Sequence, residues 1–164
     1  MERLWTPWRL TYVSGGAKSD GCVFCDAQAK DDATPLIVFR GATCYVILNL
    51  FPYNNGHLLI IPNRHIGSLA EATRDELCES SELMKLAEMA LTEAYAPHGL
   101  NIGINLGKPA GAGILDHLHI HVVPRWNGDT NFMTILGRTR VLPEELPQTA
   151  ERLRPIFERL SRSR

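Results

Sequence analysis

The chain has 164 residues, 45% hydrophobic and 21% charged, with a formal net charge of −1. That is enough for one domain with its own core, in ordinary globular proportions. The near-zero charge excludes a general attraction to nucleic acid or to acidic membranes, so a phosphate-bearing ligand must be held by local donors. No run approaches the ~20 apolar residues that a membrane helix needs. The opening Met1-Glu2-Arg3-Leu4-Trp5 lacks a continuous apolar run, so no secretory leader is expected and the expected compartment is the cytoplasm.

Residues 1–34 read as an irregular N-terminal arm containing Trp5, Trp8, Ser14-Gly15-Gly16 and the pair Cys22-x-x-Cys25. Exposed tryptophans need cover, so the arm is expected to pack on the globular unit over 35–164 or on a partner. In a cytoplasmic chain the cysteine pair points to metal binding or redox chemistry rather than to a structural disulfide. Leu36–Phe39, Tyr45–Leu48 and His57–Ile61 read as three strands, separated by Gly41 and by the turn-rich Pro52-Tyr53-Asn54-Asn55-Gly56. Cys44 adjoins the second apolar run and reads as core.

Thr73-Arg74-Asp75-Glu76 has the form of a capping box that opens a helix. Leu77, Met84, Ala87, Leu91 and Tyr95 fall on one face of it, and Pro97 and Gly99 end it. Leu100–Leu106 is a predicted fourth strand, Gly107–Gly113 a glycine-rich loop and His117–Val123 a fifth strand. A helix over Pro147–Leu160 follows. Short connections favour antiparallel pairing with helices laid on the sheet, an α+β domain.

The segment Asp116-His117-Leu118-His119-Ile120-His121-Val122-Val123 alternates with the strand period of two. Leu118, Ile120 and Val122 are expected in the core, and His117, His119 and His121 on the other face, ~6.8 Å apart. Three imidazoles in register suit nucleophilic attack and proton handling near neutral pH. Phosphorus chemistry fits, because its catalysis is mostly positioning and charge stabilisation. The loop Gly107-Lys108-Pro109-Ala110-Gly111-Ala112-Gly113 offers backbone N–H groups to phosphate oxygens.

These residues resemble the histidine-triad (HIT) family, marked by His-φ-His-φ-His-φ-φ with φ apolar, here His117 to Val123. A second family element, Gly-His followed by four apolar residues and Pro-x-x-His, is matched by Gly56-His57-Leu-Leu-Ile-Ile-Pro62-Asn-Arg-His65. The likeness spans about residues 20 to 130. It implies a five-stranded antiparallel sheet with a long helix and a homodimer. It also implies attack by the middle histidine, His119, on a nucleotide α-phosphate, with His117 and His121 assisting through a nucleotidyl-histidine intermediate.

Within the family the likeness is to the diadenosine tetraphosphate (Ap4A) phosphorylases and their bacterial relatives. It is carried by Leu4-Trp5-Thr6-Pro7-Trp8-Arg9 and by Val123-Pro124-Arg125-Trp126-Asn127-Gly128-Asp129-Thr130-Asn131-Phe132. It implies nucleotide contacts at Asn49, Asn105, Gly111, Gly113, His119, His121 and Trp126, and inorganic phosphate as the second acceptor. Many relatives carry Gln, Ser or Thr four residues before the first histidine, where this chain has Gly113. Phosphate or water as acceptor therefore stays open, and with it phosphorylase or hydrolase of Ap4A, Ap3A or AMP-phosphoramidates.

Relatives with the cysteine pair resemble one another in a zinc site, which here would comprise Cys22, Cys25, His65 and His117. Two thiolates and two imidazoles make a closed tetrahedral set, which is structural rather than catalytic. Two rival readings remain at this stage. One places a catalytic zinc on all three triad histidines. The other is a non-catalytic nucleotide-binding module.

Overall fold

The computed structural model describes residues 21–30, 35–129 and 144–162. The tryptophan-bearing start of the arm, Asn131 and Phe132 lie outside the described residues. The elements are α1 (Val23–Ala29), β1 (Ile37–Arg40), β2 (Cys44–Leu48), β3 (Leu58–Pro62), α2 (Arg74–Tyr95), β4 (Gly99–Ile104), β5 (Ile120–Arg125) and α3 (Leu146–Arg162). The strands form one antiparallel sheet in the order β1-β2-β3-β5-β4. The α+β class and the five strands are as expected. No described helix is long and apolar enough to cross a membrane.

Every residue of β2 and β3 is buried, because both faces of the sheet are covered there. Cys44, Val46, Leu48, Leu58, Ile60, Ile120 and Val122 pack with Leu83, Leu86, Ala87, Ala90 and Leu91 of α2 and with Ala150, Leu153 and Phe157 of α3. Tyr45, Ile47, Leu59 and Ile61 point to the opposite face, where Phe24 of α1 closes a smaller cluster. The alternation along each strand assigns these two sets.

Three expectations need correction. Residues 23–29 are helical rather than irregular, and that helix brings the cysteine pair onto the sheet. Leu77 is 41% exposed, since the buried stripe of α2 runs through Ser80, Leu83, Ala87 and Ala90 instead. Ser80 is buried at no polar cost because its hydroxyl donates to the Leu77 carbonyl at 2.9 Å, so a reading by apolarity passes over it. The fifth strand starts at Ile120, not His117. The chain just before it bonds elsewhere, Leu118 N–H donating to the Ile66 carbonyl at 2.6 Å.

The capping box at the start of α2 forms as read. Glu76 N–H donates to the Thr73 hydroxyl at 3.2 Å and Thr73 N–H to the Glu76 carboxylate at 2.8 Å. That carboxylate also receives Arg64 Nε and a second guanidinium nitrogen at 2.7 and 2.8 Å. The helix N-terminus is thereby tied to the segment that follows β3 and carries His65.

Candidate active site and metal-ligand cluster

The histidine row is not uniform. His117 and His119 are buried, at 1% and 6% exposure, and His121 is half-buried. Both nitrogens of His117 face partners. Nε2 lies 2.9 Å from the Pro62 carbonyl, so it carries the proton and donates. Nδ1 thereby offers its lone pair, 3.2 Å from Cys22 Sγ and 3.6 Å from Cys25 Sγ. His65 Nδ1 is 3.4 Å from Cys25 Sγ.

The ligand atoms of Cys22, Cys25, His65 and His117 all lie within 4.8 Å of one another, a set able to hold a metal ion. A tetrahedral zinc with thiolate and imidazole ligands keeps its donor atoms about 3.3–3.8 Å apart; two of the sulfur–nitrogen distances, 3.4 and 3.6 Å, fall in that range and the third, 3.2 Å, is just below it. Without a cation, burial and then the neighbouring Cys22 raise the Cys25 thiol above its ordinary value. Burial also lowers the basicity of His117. A divalent cation would reverse the first effect by stabilising thiolate. The other two triad histidines do not join this cluster, so the three do not form one metal site.

His119 Nδ1 sits 2.8 Å from the main-chain carbonyl of His117. A carbonyl only accepts, so Nδ1 carries the proton and Nε2 presents a lone pair. Phe24, between the two cysteines, packs 5.5 Å from the His117 ring and 5.3 Å from the His119 ring. The same short helix thus supplies two metal-ligand candidates and a wall against the central histidine.

His121 stands beside His119, with ring centroids 5.0 Å apart. Burial, and then the neighbouring His119, push its pKa down to about 4. Its Nδ1 is 3.0 Å from Nε2 of His57, which is fully buried. Tyr53 lies over both rings, 4.8 Å from His57 and 5.9 Å from His121. His57 stands within the second family element, and no role for it is expected from the sequence. The available signal was its place immediately before β3, but only the β3–β5 register, Leu59 opposite His121, puts it beside the row.

A cavity of about 230 Å³ opens beside His121, lined by Tyr53, Asn101, Gly103, Asn105 and Arg125 among others. It places Asn105 and His121 along one cavity. A larger cleft of about 380 Å³, lined by Glu88, Thr92, Pro97 and Leu100 among others, contains none of the histidines and none of the proposed site residues. In the glycine-rich loop a single 3-10 turn, Lys108–Ala110, is bounded by Gly107 at φ 82° and Gly111 at φ 93°. Both positions favour glycine, and a Cβ on Gly111 would meet the Asn105 amide at 3.8 Å. Gly113 is exposed, and Ile114 after it packs against the Phe24 cluster. Asn49 reaches the row only through His57, 3.3 Å from its Nδ1. Trp126 lies past the end of β5, its N–H donating to Asp129, and does not line the cavity beside His121.

A five-stranded antiparallel sheet carrying three histidines at the mouth of one strand defines a class, and comparison with known proteins agrees. The HIT domain profile matches residues 30–128, and the chain belongs to that family. It is 40% identical to the AP-4-A phosphorylase of Mycobacterium tuberculosis over 160 residues, 91% of this chain and 80% of that one. Among solved structures it is similar to a zinc-bound histidine triad family protein from Mycobacterium smegmatis, with a TM-score of 0.71 at 28% identity, covering 88% of this chain and 99% of that one. It is also similar to a hypothetical histidine triad nucleotide-binding protein from Sulfolobus tokodaii, with a TM-score of 0.70 at 28% identity, over 87% and 95% of the two chains.

Proposed function

We propose that the protein is a cytoplasmic nucleotidyltransferase that cleaves Ap4A-like dinucleoside polyphosphates through a nucleotidyl-His119 intermediate, with inorganic phosphate as acceptor. The observation that carries this is the 2.8 Å contact of His119 Nδ1 with the His117 carbonyl, which leaves Nε2 as a free nucleophile. In the first half-reaction Nε2 bonds to the α-phosphorus as the phosphorus–oxygen bond to the outgoing nucleotide breaks. The His117 carbonyl stabilises the positive ring that results. His121 and the backbone of the glycine-rich loop, with Gly111 and Gly113, face the phosphate, while Asn49 and Asn105 take the remaining nucleotide contacts; a contact from Trp126, outside the cavity beside His121, rests on the family resemblance alone. In the second half-reaction a phosphate oxygen attacks the same phosphorus and releases His119 unchanged. The 40% identity to an AP-4-A phosphorylase over most of both chains supports this choice of substrate.

Cys22, Cys25, His65 and His117 are proposed to hold a structural zinc. Bound there, it would supply cross-linking and thiolate stabilisation rather than an activated water. His117 then serves through its carbonyl, since both of its ring nitrogens are committed. A homodimer through β4 is proposed as well. The β1 edge is blunted by Arg154, which donates to the carbonyls of Ile37 and Pro35. β4 is the other edge, with Asn101, Ile102 and Gly103 exposed.

Hydrolysis is the second reading, favoured by Gly113, which offers an incoming phosphate no side chain. Incubation with Ap4A decides between them. ADP and ATP formed only with added phosphate establish phosphorolysis. ATP and AMP in either buffer make the enzyme a hydrolase. AMP binding without any turnover would leave a binding module and overturn the proposal.

A further inference from the structure

Asn49 follows the last residue of β2, and the orientation of its amide is fixed by its neighbours. Phe51 N–H donates to Oδ1 at 3.1 Å, which places the oxygen at that end and the NH2 group at the other. Nδ2 then lies 3.3 Å from His57 Nδ1, and the same ring nitrogen receives the Tyr53 N–H at 3.0 Å. Both groups can only donate. His57 Nδ1 is therefore a lone pair, and the ring proton sits on Nε2. From there it is donated across 3.0 Å to His121 Nδ1. His121, whose pKa is pushed down to about 4, is neutral at pH 7 and has its single proton on Nε2.

We infer that Asn49 is a positioning residue: its amide shares His57 Nδ1 with the Tyr53 N–H, and because both only donate, His57 makes His121 present an N–H rather than a lone pair to the reacting phosphate, an arrangement that an acceptor in place of Asn49 would reverse. The inference rests on the reading of His121 as a phosphate contact, and it gives Asn49 a task beyond the ribose contact that the family resemblance implies for it. No proton is transferred in this role. The His121 N–H meets charge that grows on phosphate oxygen as the phosphorus–oxygen bond breaks, which is where a fixed donor acts most strongly.

The test pairs two substitutions in the 164-residue protein as purified. In Asn49→Asp the carboxylate accepts where the amide donated, drawing the His57 proton to Nδ1 and reversing both rings. In Asn49→Ala the Tyr53 N–H still holds the tautomer. Asn49→Asp is expected to lower kcat on Ap4A by about 100-fold, the scale of one lost oxyanion donor. Asn49→Ala is expected to act mainly on KM. A ribose-only role orders them the other way, since Asp accepts from a sugar hydroxyl and Ala does not. Nitrogen-15 NMR of the imidazoles should show Nε2–H on His57 and His121 in the wild type and Nδ1–H on both in Asn49→Asp. A wild-type His57 protonated at Nδ1, an unchanged His121 tautomer in Asn49→Asp, or a greater kcat loss in Asn49→Ala would each overturn the inference. The NMR result stands even if the protein turns over no nucleotide, so failure of the proposed reaction and failure of this inference are distinguishable.

Discussion

His119 donates its Nδ1 proton to the carbonyl of His117, the residue whose own ring faces Cys22 and Cys25. One residue thus belongs to both the metal-ligand cluster and the nucleophile's support. Under the proposed function, the metal-ligand cluster would position the His119 ring through main chain rather than by touching substrate.

That link predicts what loss of the cysteine pair does. Purified protein should contain one zinc per chain, and Cys22→Ser should not. A ligand held a thousandfold above its Kd stabilises by about 4 kcal/mol. For a chain of this size, Cys22→Ser should therefore lower Tm by roughly 10 °C. Metal analysis and a thermal melt check this. Full activity and an unchanged Tm in zinc-free protein would remove zinc from the account.

His121 supplies a pH signature. Its folded pKa of about 4 lies below the ordinary histidine value, because burial disfavours the charged ring. The unfolded chain therefore binds more protons between the two values. Its contribution to stability is full above about pH 6.5 and is lost as pH falls toward 4. The ring is only half-buried, so solvent screening reduces the effect to about 1–2 kcal/mol. Denaturant titrations at pH 7.5 and 4.5 should show the wild type losing that much more than His121→Gln. Equal losses would count against the assignment.

Glu76 anchors the segment carrying His65. Its side chain is 4% exposed, and the Arg64 guanidinium with the Thr73 N–H holds its pKa down to about 2. Glu76→Gln should cost about 2 kcal/mol through the lost charge-assisted bonds and weakened cap. Chelator competition should also show weaker zinc retention, because Arg64 adjoins His65 in sequence. Unaltered retention in a destabilised variant would confine Glu76 to the helix cap.

Much of this was legible in the chain. The strand runs, the capping box of α2 and the alternation at Leu118, Ile120 and Val122 follow from periodicity and turn chemistry. The contact of His57 with His121 was not legible, because it depends on the register of β3 against β5, which an apolar run as uniform as β3 leaves unspecified. Nor was α1, a seven-residue helix whose order comes from packing Phe24 on the sheet rather than from helical periodicity. The inequality within the histidine row also escaped a period-of-two reading, since Leu118 leaves the ladder to bond Ile66.

The central claim is that His119 Nε2 becomes covalently nucleotidylated. The most direct measurement is peptide mass spectrometry of protein incubated with Ap4A in the absence of phosphate, where only the first half-reaction can run, then quenched and digested at alkaline pH, with His119→Ala alongside. One adenylyl group is expected on the peptide containing His119, lost when phosphate is added, together with a fall in turnover of the variant on the order of 10⁴-fold or more with zinc retained. Products formed without any adduct, or an adduct that persists in His119→Ala, would contradict it.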